Sequence, residues 1–204
     1  MPKLPTLTLV RHGETEWSRT HRHTGRTDLP LEPAGEQEAR ATARPLARLK
    51  PALVLSSPLL RARETASLAG FGREAGVDLQ LDADLMEWDY GDYEGRTTAS
   101  IQAERPGWLL FRDGCPNGED AARVGARADR VVTLARSVDA DVLLFSHGHF
   151  CRVLAARWLG LPADHGRYLT LSTAAISVLG YEHHRDEPAI LRWNDQHHLT
   201  AESA

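Results

Sequence analysis

A chain of 204 residues, 42% hydrophobic and 25% charged, has the composition of an ordinary globular protein, and we predict a single domain over residues 1–204. The formal net charge of -4 gives no reason to expect nucleic acid or an anionic membrane as a partner. No apolar run approaches the roughly 20 residues that a membrane span requires, and no signal-peptide core is recognisable, so the expected location is the cytoplasm.

The first predicted strand spans residues 7–10 and is followed by Arg11, His12 and Gly13. A strand end holds such side chains in fixed positions, and Gly13 lets the backbone turn and approach a bound group closely. Arginine offers phosphate a planar set of donors, while a neutral histidine can act as a nucleophile. Taken alone, such a pair is more often a plain surface feature, so its meaning depends on the rest of the chain.

Strands and helices alternate after this point. Further strands are predicted at residues 53–55, 77–81, 142–145, 174–181 and 188–193. Helices are predicted at residues 33–48, 58–69, 97–104, 119–137 and 150–158, and Pro45 is expected to break or kink the first of them. The alternation indicates a mostly parallel sheet covered by helices on both faces.

Chemistry in such sheets is expected at the carboxyl ends of the strands. Arg11 and His12 follow the first strand, Arg61 lies in the first turn of the helix after the second, and His147 follows the fourth. Two arginines and a histidine donor can neutralise a phosphoryl group while His12 attacks phosphorus. Glu87 is the candidate proton donor, since its apolar neighbours favour the protonated form of a carboxyl.

Each of these residues also has a plainer interpretation. Arg61 could be a solvated helix arginine, and His147 a buried histidine satisfied by backbone. Three nearby aspartates, among them Asp89, compete with Glu87 for the role of the acid. Only the coincidence of all these groups at the strand ends favours phosphoryl transfer over the plain interpretations.

Four motifs in this order resemble the histidine phosphatase superfamily, also called phosphoglycerate-mutase-like. They are residues 9–15 (LVRHGET), 57–62 (SPLLRA), 85–95 and 146–148 (SHG). The resemblance implies a three-layer α/β/α sandwich with a mostly parallel central sheet, and no metal or cofactor. It implies five catalytic residues: His12 as phosphoryl acceptor, Glu87 as proton donor, and Arg11, Arg61 and His147 as phosphate ligands. The expected substrate contacts are Arg11, Ser18, Thr24, Gly25, Arg61, Tyr90, His147 and Gly148.

Within the superfamily, residues 87–95, 112–115 and 146–149 are similar to a branch of sugar-phosphate phosphatases that includes sedoheptulose-1,7-bisphosphatase-like enzymes. The expected function is therefore hydrolysis of a small phosphorylated metabolite, a sugar phosphate or bisphosphate, through a phosphohistidine. One alternative is a cofactor-dependent phosphoglycerate mutase, which usually has asparagine where Ser18 stands. Another is a non-catalytic phospho-ligand binding module, which would need neither His12 nor Glu87.

The sequence leaves the roles of several histidines and the oligomeric state open. The ten histidines show no helical His-x-x-x-His pair and no finger spacing with cysteines, so no metal site is predicted. The roles of His21, His23 and His149 are undecided, although the first two could line the mouth of the site. The sequence also leaves a homodimer open.

Overall fold

The computed structural model describes residues 4–200, and six strands within them form one sheet. The strands are β1 (Leu7–Arg11), β2 (Leu53–Ser56), β3 (Leu79–Leu81), β4 (Val142–Ser146), β5 (Ile176–Tyr181) and β6 (Pro188–Asp195). Their order in the sheet is β3-β2-β4-β1-β5-β6. Only β5 runs against the others, so the sheet is mixed but mostly parallel, as predicted. Residues 1–3 and 201–204 of the predicted domain lie outside the described residues.

Helices connect the strands and cover the sheet. They are α1 (Glu16–Arg19), α2 (Pro33–Ala41), α3 (Ala43–Leu46), α4 (Leu60–Leu68), α5 (Thr98–Glu104), α6 (Leu110–Asp113), α7 (Ala121–Ser137) and α8 (Gly148–Trp158). Within residues 4–200, no helix combines the length and the apolar character needed to cross a membrane.

Side chains alternate between the two faces of the sheet, so each central strand contributes to two separate apolar cores. Leu9 and Leu144 lie in the core that also holds the buried faces of α7 and α8. Val10 and Phe145 lie in the core on the other side, together with Ala66 of α4. Helices therefore pack on both faces of the sheet, which confirms the three-layer α/β/α architecture.

The helix predicted at residues 33–48 is in fact two helices. The first ends at Ala41 and the second begins at Ala43, with Pro45 inside the second. Proline has no N–H to donate to the carbonyl of Ala41, and its ring crowds that carbonyl. The break therefore falls one turn before the proline rather than at it.

Two other helices begin later than predicted, because their first turns are capped by residues other than those expected. The first amide of α4, that of Leu60, donates to Asp28 Oδ1 over 2.7 Å, and Ser57 does not cap this helix. In α7 the cap is Asp120, whose carboxylate accepts from the amide of Arg123. The four-residue helices α1 and α6 were not predicted, since four residues show no helical period.

Candidate active site

The topology brings three chain segments together at the carboxyl end of the sheet. Strand β4 lies between β1 and β2 and is parallel to both, so the three strands end side by side. Arg11, the last residue of β1, is in register with Ser146 of β4, and the amide of His12 donates to the Ser146 carbonyl over 3.0 Å. The segments carrying His12, Arg61 and His147 therefore meet, as the sequence predicts.

One ring nitrogen of His12 is fixed by the backbone. Its Nδ1 lies 2.7 Å from the carbonyl oxygen of Gly13 and must donate, because a carbonyl only accepts. The side chain is 4% exposed, and burial, followed by the charges of Arg61 and Arg11, lowers the pKa of His12 well below its ordinary value. The ring is therefore neutral near pH 7, and Nε2 carries a free lone pair.

Behind His12, a hydrogen-bonded chain fixes the tautomer of His147. Arg61 Nε donates to His147 Nδ1 over 3.2 Å, so this nitrogen carries no proton. Burial, followed by the charges of Arg61 and His12, lowers the pKa of His147, which is therefore neutral. Its Nε2–H consequently donates to Ser57 Oγ over 2.8 Å. The centroids of the His12 and His147 rings are 5.2 Å apart.

The guanidinium of Arg61 also holds the loop that precedes α2. Its terminal nitrogens donate to the carbonyl oxygens of Thr24, Gly25 and Thr27 over 3.0–3.1 Å. With the bond to His147, these interactions use four of the five N–H groups of a side chain that is fully buried. Arg61 is thus an internal cation near His12 rather than a solvated helix arginine.

Arg11 is held differently and has an unused donor. One terminal nitrogen donates to the carbonyl oxygen of Leu171, while Nε is buried and has no hydrogen-bond partner among the described residues. A Cβ atom at Gly148 would lie 3.3 Å from this Nε, closer than about nine in ten such contacts. Glycine at position 148 therefore makes room for the Arg11 guanidinium.

The carboxylate of Glu87 has more polar surroundings than the sequence suggested. Its Oε1 accepts from the amides of Trp88 and Phe150, both over 2.9 Å, and Oε2 accepts from the amide of His149 over 3.0 Å. Two of these donors belong to the first turn of α8, so Glu87 caps that helix. The expected apolar environment is wrong in this respect, because the end of β4 brings helix amides to the carboxyl.

A buried ion pair holds the loop that carries Glu87. Arg127 of α7 donates to Glu119 over 2.8 Å and to the carbonyl oxygens of Asp84 and Met86 over 2.6 and 2.9 Å. Glu119 Oε2 in turn accepts from the amide of Asp89 over 2.9 Å. Burial alone would raise the pKa of Glu119, but its bonds to Arg127 outweigh this effect and lower that pKa. The pair thus fastens residues 84–89 to α7.

The glycine after His12 serves a different purpose from the predicted one. A Cβ at Gly13 would lie 2.2 Å from the carbonyl oxygen of Gly35, and one at Gly35 would lie 2.0 Å from that of Glu14. The two glycines therefore let the loop after β1 contact the first turn of α2 backbone to backbone. Gly13 approaches this helix, whereas the sequence interpretation had it approach a bound group.

These groups surround a cavity of about 250 Å³. Of the predicted contacts, Arg11, Ser18, Thr24, Tyr90 and Gly148 line it, together with His12 and Glu87. Gly25, Arg61 and His147 are not among the lining residues. All three are buried, and Arg61 donates to the carbonyl oxygen of Gly25 over 3.0 Å. The rival acids Asp84, Asp89 and Asp92 do not line the cavity either.

One wall of the cavity is formed by rings whose roles the sequence left open. Tyr90 and His149 share a hydrogen bond of 2.6 Å, and the ring of His23 lies 4.6 Å from that of Tyr90. Burial lowers the pKa of His23 to about 4 and raises the pKa of Tyr90 well above its ordinary value. The wall is therefore uncharged near pH 7. His21 also lines the cavity and is exposed.

Four further lining residues were not predicted: Arg22, Thr98, Arg152 and Leu171. Arg152 could have been found, because it follows Gly148 by four positions and therefore shares its helix face. Arg22 and Thr98 are brought together by an antiparallel bridge between residues 22 and 97, for which no local sequence signal exists. Within residues 4–200, no three histidine, cysteine, aspartate or glutamate side chains cluster as metal ligands would.

Comparison with known proteins agrees with this geometry over nearly the whole chain. Residues 7–196 match the family model of the histidine phosphatase superfamily (branch 1). The chain belongs to this family. It is therefore a histidine-type phosphatase of a metal-independent family, which confirms the reaction class predicted from the sequence.

Relatives of this histidine phosphatase include an acid phosphatase and a sugar bisphosphatase. The chain is 42% identical over 189 residues to an acid phosphatase of Mycobacterium tuberculosis, covering 91% of each protein. It is 34% identical to the sedoheptulose 1,7-bisphosphatase of Saccharomyces cerevisiae, covering 93% of each. A solved structure of an open reading frame from Mycobacterium tuberculosis has a TM-score of 0.87 at 40% identity, with 94% of this chain and 98% of that chain covered.

Proposed function

We propose that this histidine phosphatase hydrolyses phosphomonoesters of small metabolites, namely sugar phosphates or bisphosphates, through a phosphohistidine at His12. The observation that carries the proposal is the 2.7 Å bond from His12 Nδ1–H to the Gly13 carbonyl, which leaves the Nε2 lone pair at a cavity lined by Arg11. The similarity to a sedoheptulose 1,7-bisphosphatase supports the same substrate class, and the similarity to an acid phosphatase supports phosphoester hydrolysis.

In the proposed first step, His12 Nε2 attacks phosphorus and the bond to the leaving alkoxide breaks. Arg11, with its unused Nε donor, and the buried charge of Arg61 stabilise the negative charge of the phosphoryl group. His147 Nε2–H, which donates to Ser57 here, supplies a further donor when it turns to a phosphoryl oxygen. Glu87 gives its proton to the leaving oxygen.

In the second step, water attacks the phosphohistidine. Glu87, now a carboxylate, takes a proton from this water, and the bond between phosphorus and Nε2 breaks to release inorganic phosphate. The histidine returns to its neutral form and Glu87 to its protonated form. Each group thus ends the cycle as it began, without an external reductant, oxidant or metal.

The proposal is tested with His12→Ala on a panel of sugar phosphates, with and without a chelator. We expect loss of turnover, and loss of a phosphoryl label that is acid-labile and base-stable, because the nitrogen that accepts the group is removed. His183→Ala is the matched control, since this histidine is exposed and lies between β5 and β6, away from the cavity. Wild-type turnover by His12→Ala, or a wild type that binds phosphate esters without cleaving them, would contradict the proposal.

A further inference from the structure

The cavity carries more positive charge than a single phosphoryl group requires. Three of its lining side chains, Arg11, Arg22 and Arg152, are permanently charged, and Glu87 is the only carboxylate among them. A phosphoryl group carries a charge of about -1.5 to -2 near pH 7. Arg11 and the buried Arg61 already offset this charge in the proposed reaction. The charges of Arg22 and Arg152 are left over, in a protein whose net charge is -4.

Arg152 is partly buried, and no carboxylate of residues 4–200 forms an ion pair with it, although Glu87 acts on its charge from beyond ion-pair distance. Its Nε donates to the carbonyl oxygen of Gly166 over 3.2 Å, and a terminal nitrogen donates to that of Arg167 over 3.3 Å. Its guanidinium carbon lies 4.7 Å from the centre of the Phe111 ring. Among the described residues, no acidic side chain lies within ion-pair distance of it. These contacts hold the guanidinium in place but leave its charge available.

The position of Arg152 along α8 sets its distance from the reacting phosphoryl group. Gly148, the first residue of the helix, lies next to the Arg11 guanidinium, since a Cβ there would be 3.3 Å from it, and Arg152 lies four residues further along on the same face. Four residues of α-helix correspond to a rise of about 6 Å. An anionic group at Arg152 would therefore lie one helical turn from the phosphoryl site, within the reach of a small metabolite.

Arg22 is available in the same way from another side of the cavity. Its backbone is fixed, because its amide donates to the Trp17 carbonyl over 2.8 Å and residue 22 forms an antiparallel bridge with Thr97. Its side chain is exposed and has no ion-pair partner among residues 4–200. The Arg22 side chain is thus a second unpaired cation, and the fold of the loop around residue 22 does not depend on it.

We propose that Arg152, assisted by Arg22, binds a second anionic group of the substrate, about one helical turn from the phosphoryl group attacked by His12. This inference rests on the proposed function and narrows its substrate class to metabolites with two anionic groups. The second group is a phosphate or a carboxylate, since a guanidinium pairs with both.

Matched substrates separate these two chemistries. Fructose 1,6-bisphosphate is compared with fructose 1-phosphate and fructose 6-phosphate, which each lack one phosphate. In the same way, 3-phosphoglycerate is compared with glycerol 3-phosphate, which lacks the carboxylate. The wild type should show a higher kcat/KM for the doubly anionic member of at least one set, and the set concerned identifies the second group.

The variant Arg152→Gln should lower this preference about tenfold or more, mainly through KM, because a charge-assisted hydrogen bond to the substrate is lost. Arg22→Gln should lower it in the same direction, and it keeps the test valid if Arg152→Gln does not fold. Arg63→Gln, which removes an exposed charge of α4 outside the cavity, should keep the wild-type preference.

Equal losses for both members of every set in Arg152→Gln would overturn the inference and leave Arg152 as an anchor for the turn at Ala163–Tyr168. Equal kcat/KM values for both members in the wild type would overturn it as well. A wild type that cleaves none of these esters would instead contradict the proposed function itself.

Discussion

At the scale of single residues, the two oxygen atoms of Glu87 have different surroundings. Oε1 accepts two backbone hydrogen bonds, whereas Oε2 accepts one and keeps a free position. A proton for the leaving group can therefore be carried only by Oε2. Glutamine at this position can keep both bonds to Oε1, but it brings an amide N–H against the N–H of His149 and supplies no acid proton.

We therefore expect Glu87→Gln to slow phosphorylation by a sugar phosphate about 10²- to 10⁴-fold, the range for a missing general acid. The loss with p-nitrophenyl phosphate should be far smaller, because nitrophenolate leaves without a proton. Burst kinetics isolates this first step. Asp89→Asn is the control, since Asp89 faces Arg26 and does not line the cavity. Equal losses on both substrates, or a larger loss for Asp89→Asn, would assign the acid elsewhere.

Most of the residues identified from the sequence lie beside strand ends, where position in the chain fixes position in space. His12 at the cavity and the buried Arg61–His147 pair were found in this way, whereas Glu87 was proposed from its apolar neighbours in a loop. The sequence could not show which of these residues are buried and which line the cavity. Arg61 is buried and does not line the cavity, because its guanidinium bonds to the carbonyl oxygens of a loop some 35 positions away in the chain. Arg22 was missed for a similar reason, since its place depends on a pairing with Thr97.

At the scale of secondary-structure elements, the pair Arg127–Glu119 fastens the loop of residues 84–89 to α7. We expect Glu119→Gln to lower the free energy of unfolding by about 2–4 kcal/mol, since it leaves the largely buried Arg127 charge unpaired. Glu119→Gln should also slow cleavage of a sugar phosphate more than cleavage of p-nitrophenyl phosphate, as expected for Glu87→Gln but to a smaller extent, because the loop that positions Glu87 is loosened. Denaturant unfolding and the two-substrate comparison measure the two effects.

The same loop offers a matched control. Arg130 also pairs with Asp84, but its side chain is 59% exposed, so Arg130→Gln should cost at most about 1 kcal/mol and leave the leaving-group dependence as in the wild type. If both variants lost the same stability, burial of the Arg127–Glu119 pair would not be what holds the loop. A stability loss in Glu119→Gln without any change in leaving-group dependence would separate the ion pair from the positioning of Glu87.

The elements themselves were predictable where their pattern is local. Short apolar runs identified β1 and β4, and the helical period of apolar residues identified α7. The first residue of α4 was not predictable, because its cap is Asp28, 32 positions earlier in the chain. The positions of β5 and β6 were predicted, but their antiparallel pairing depends on the sheet order, which no local pattern contains.

At the scale of the whole molecule, folding buries several histidines in their neutral form. Burial is the first cause that lowers the pKa of His12 and His147 well below 6.5, and it lowers that of His23 to about 4. In the unfolded chain these histidines return to a pKa near 6.5. Below pH 6.5 the unfolded state therefore binds protons that the folded state does not, and stability must fall as the pH falls.

Each such histidine should contribute a slope of up to about 1.4 kcal/mol per pH unit, beginning near pH 6.5 and ending at its folded pKa, which for His23 is about 4. Protonation of carboxylates also destabilises the protein in acid. The informative quantity is therefore the difference in slope between a variant and the wild type. The free energy of unfolding is measured between pH 7.5 and 5. Both His12→Gln and His23→Gln should make its dependence on pH less steep, because each variant removes one group that takes up a proton on unfolding. His197→Gln, at an exposed position outside the cavity, should keep the wild-type slope. A slope unchanged by His12→Gln would mean that this ring is protonated in the folded protein, and the nucleophile of the proposed reaction would then be absent at mildly acidic pH.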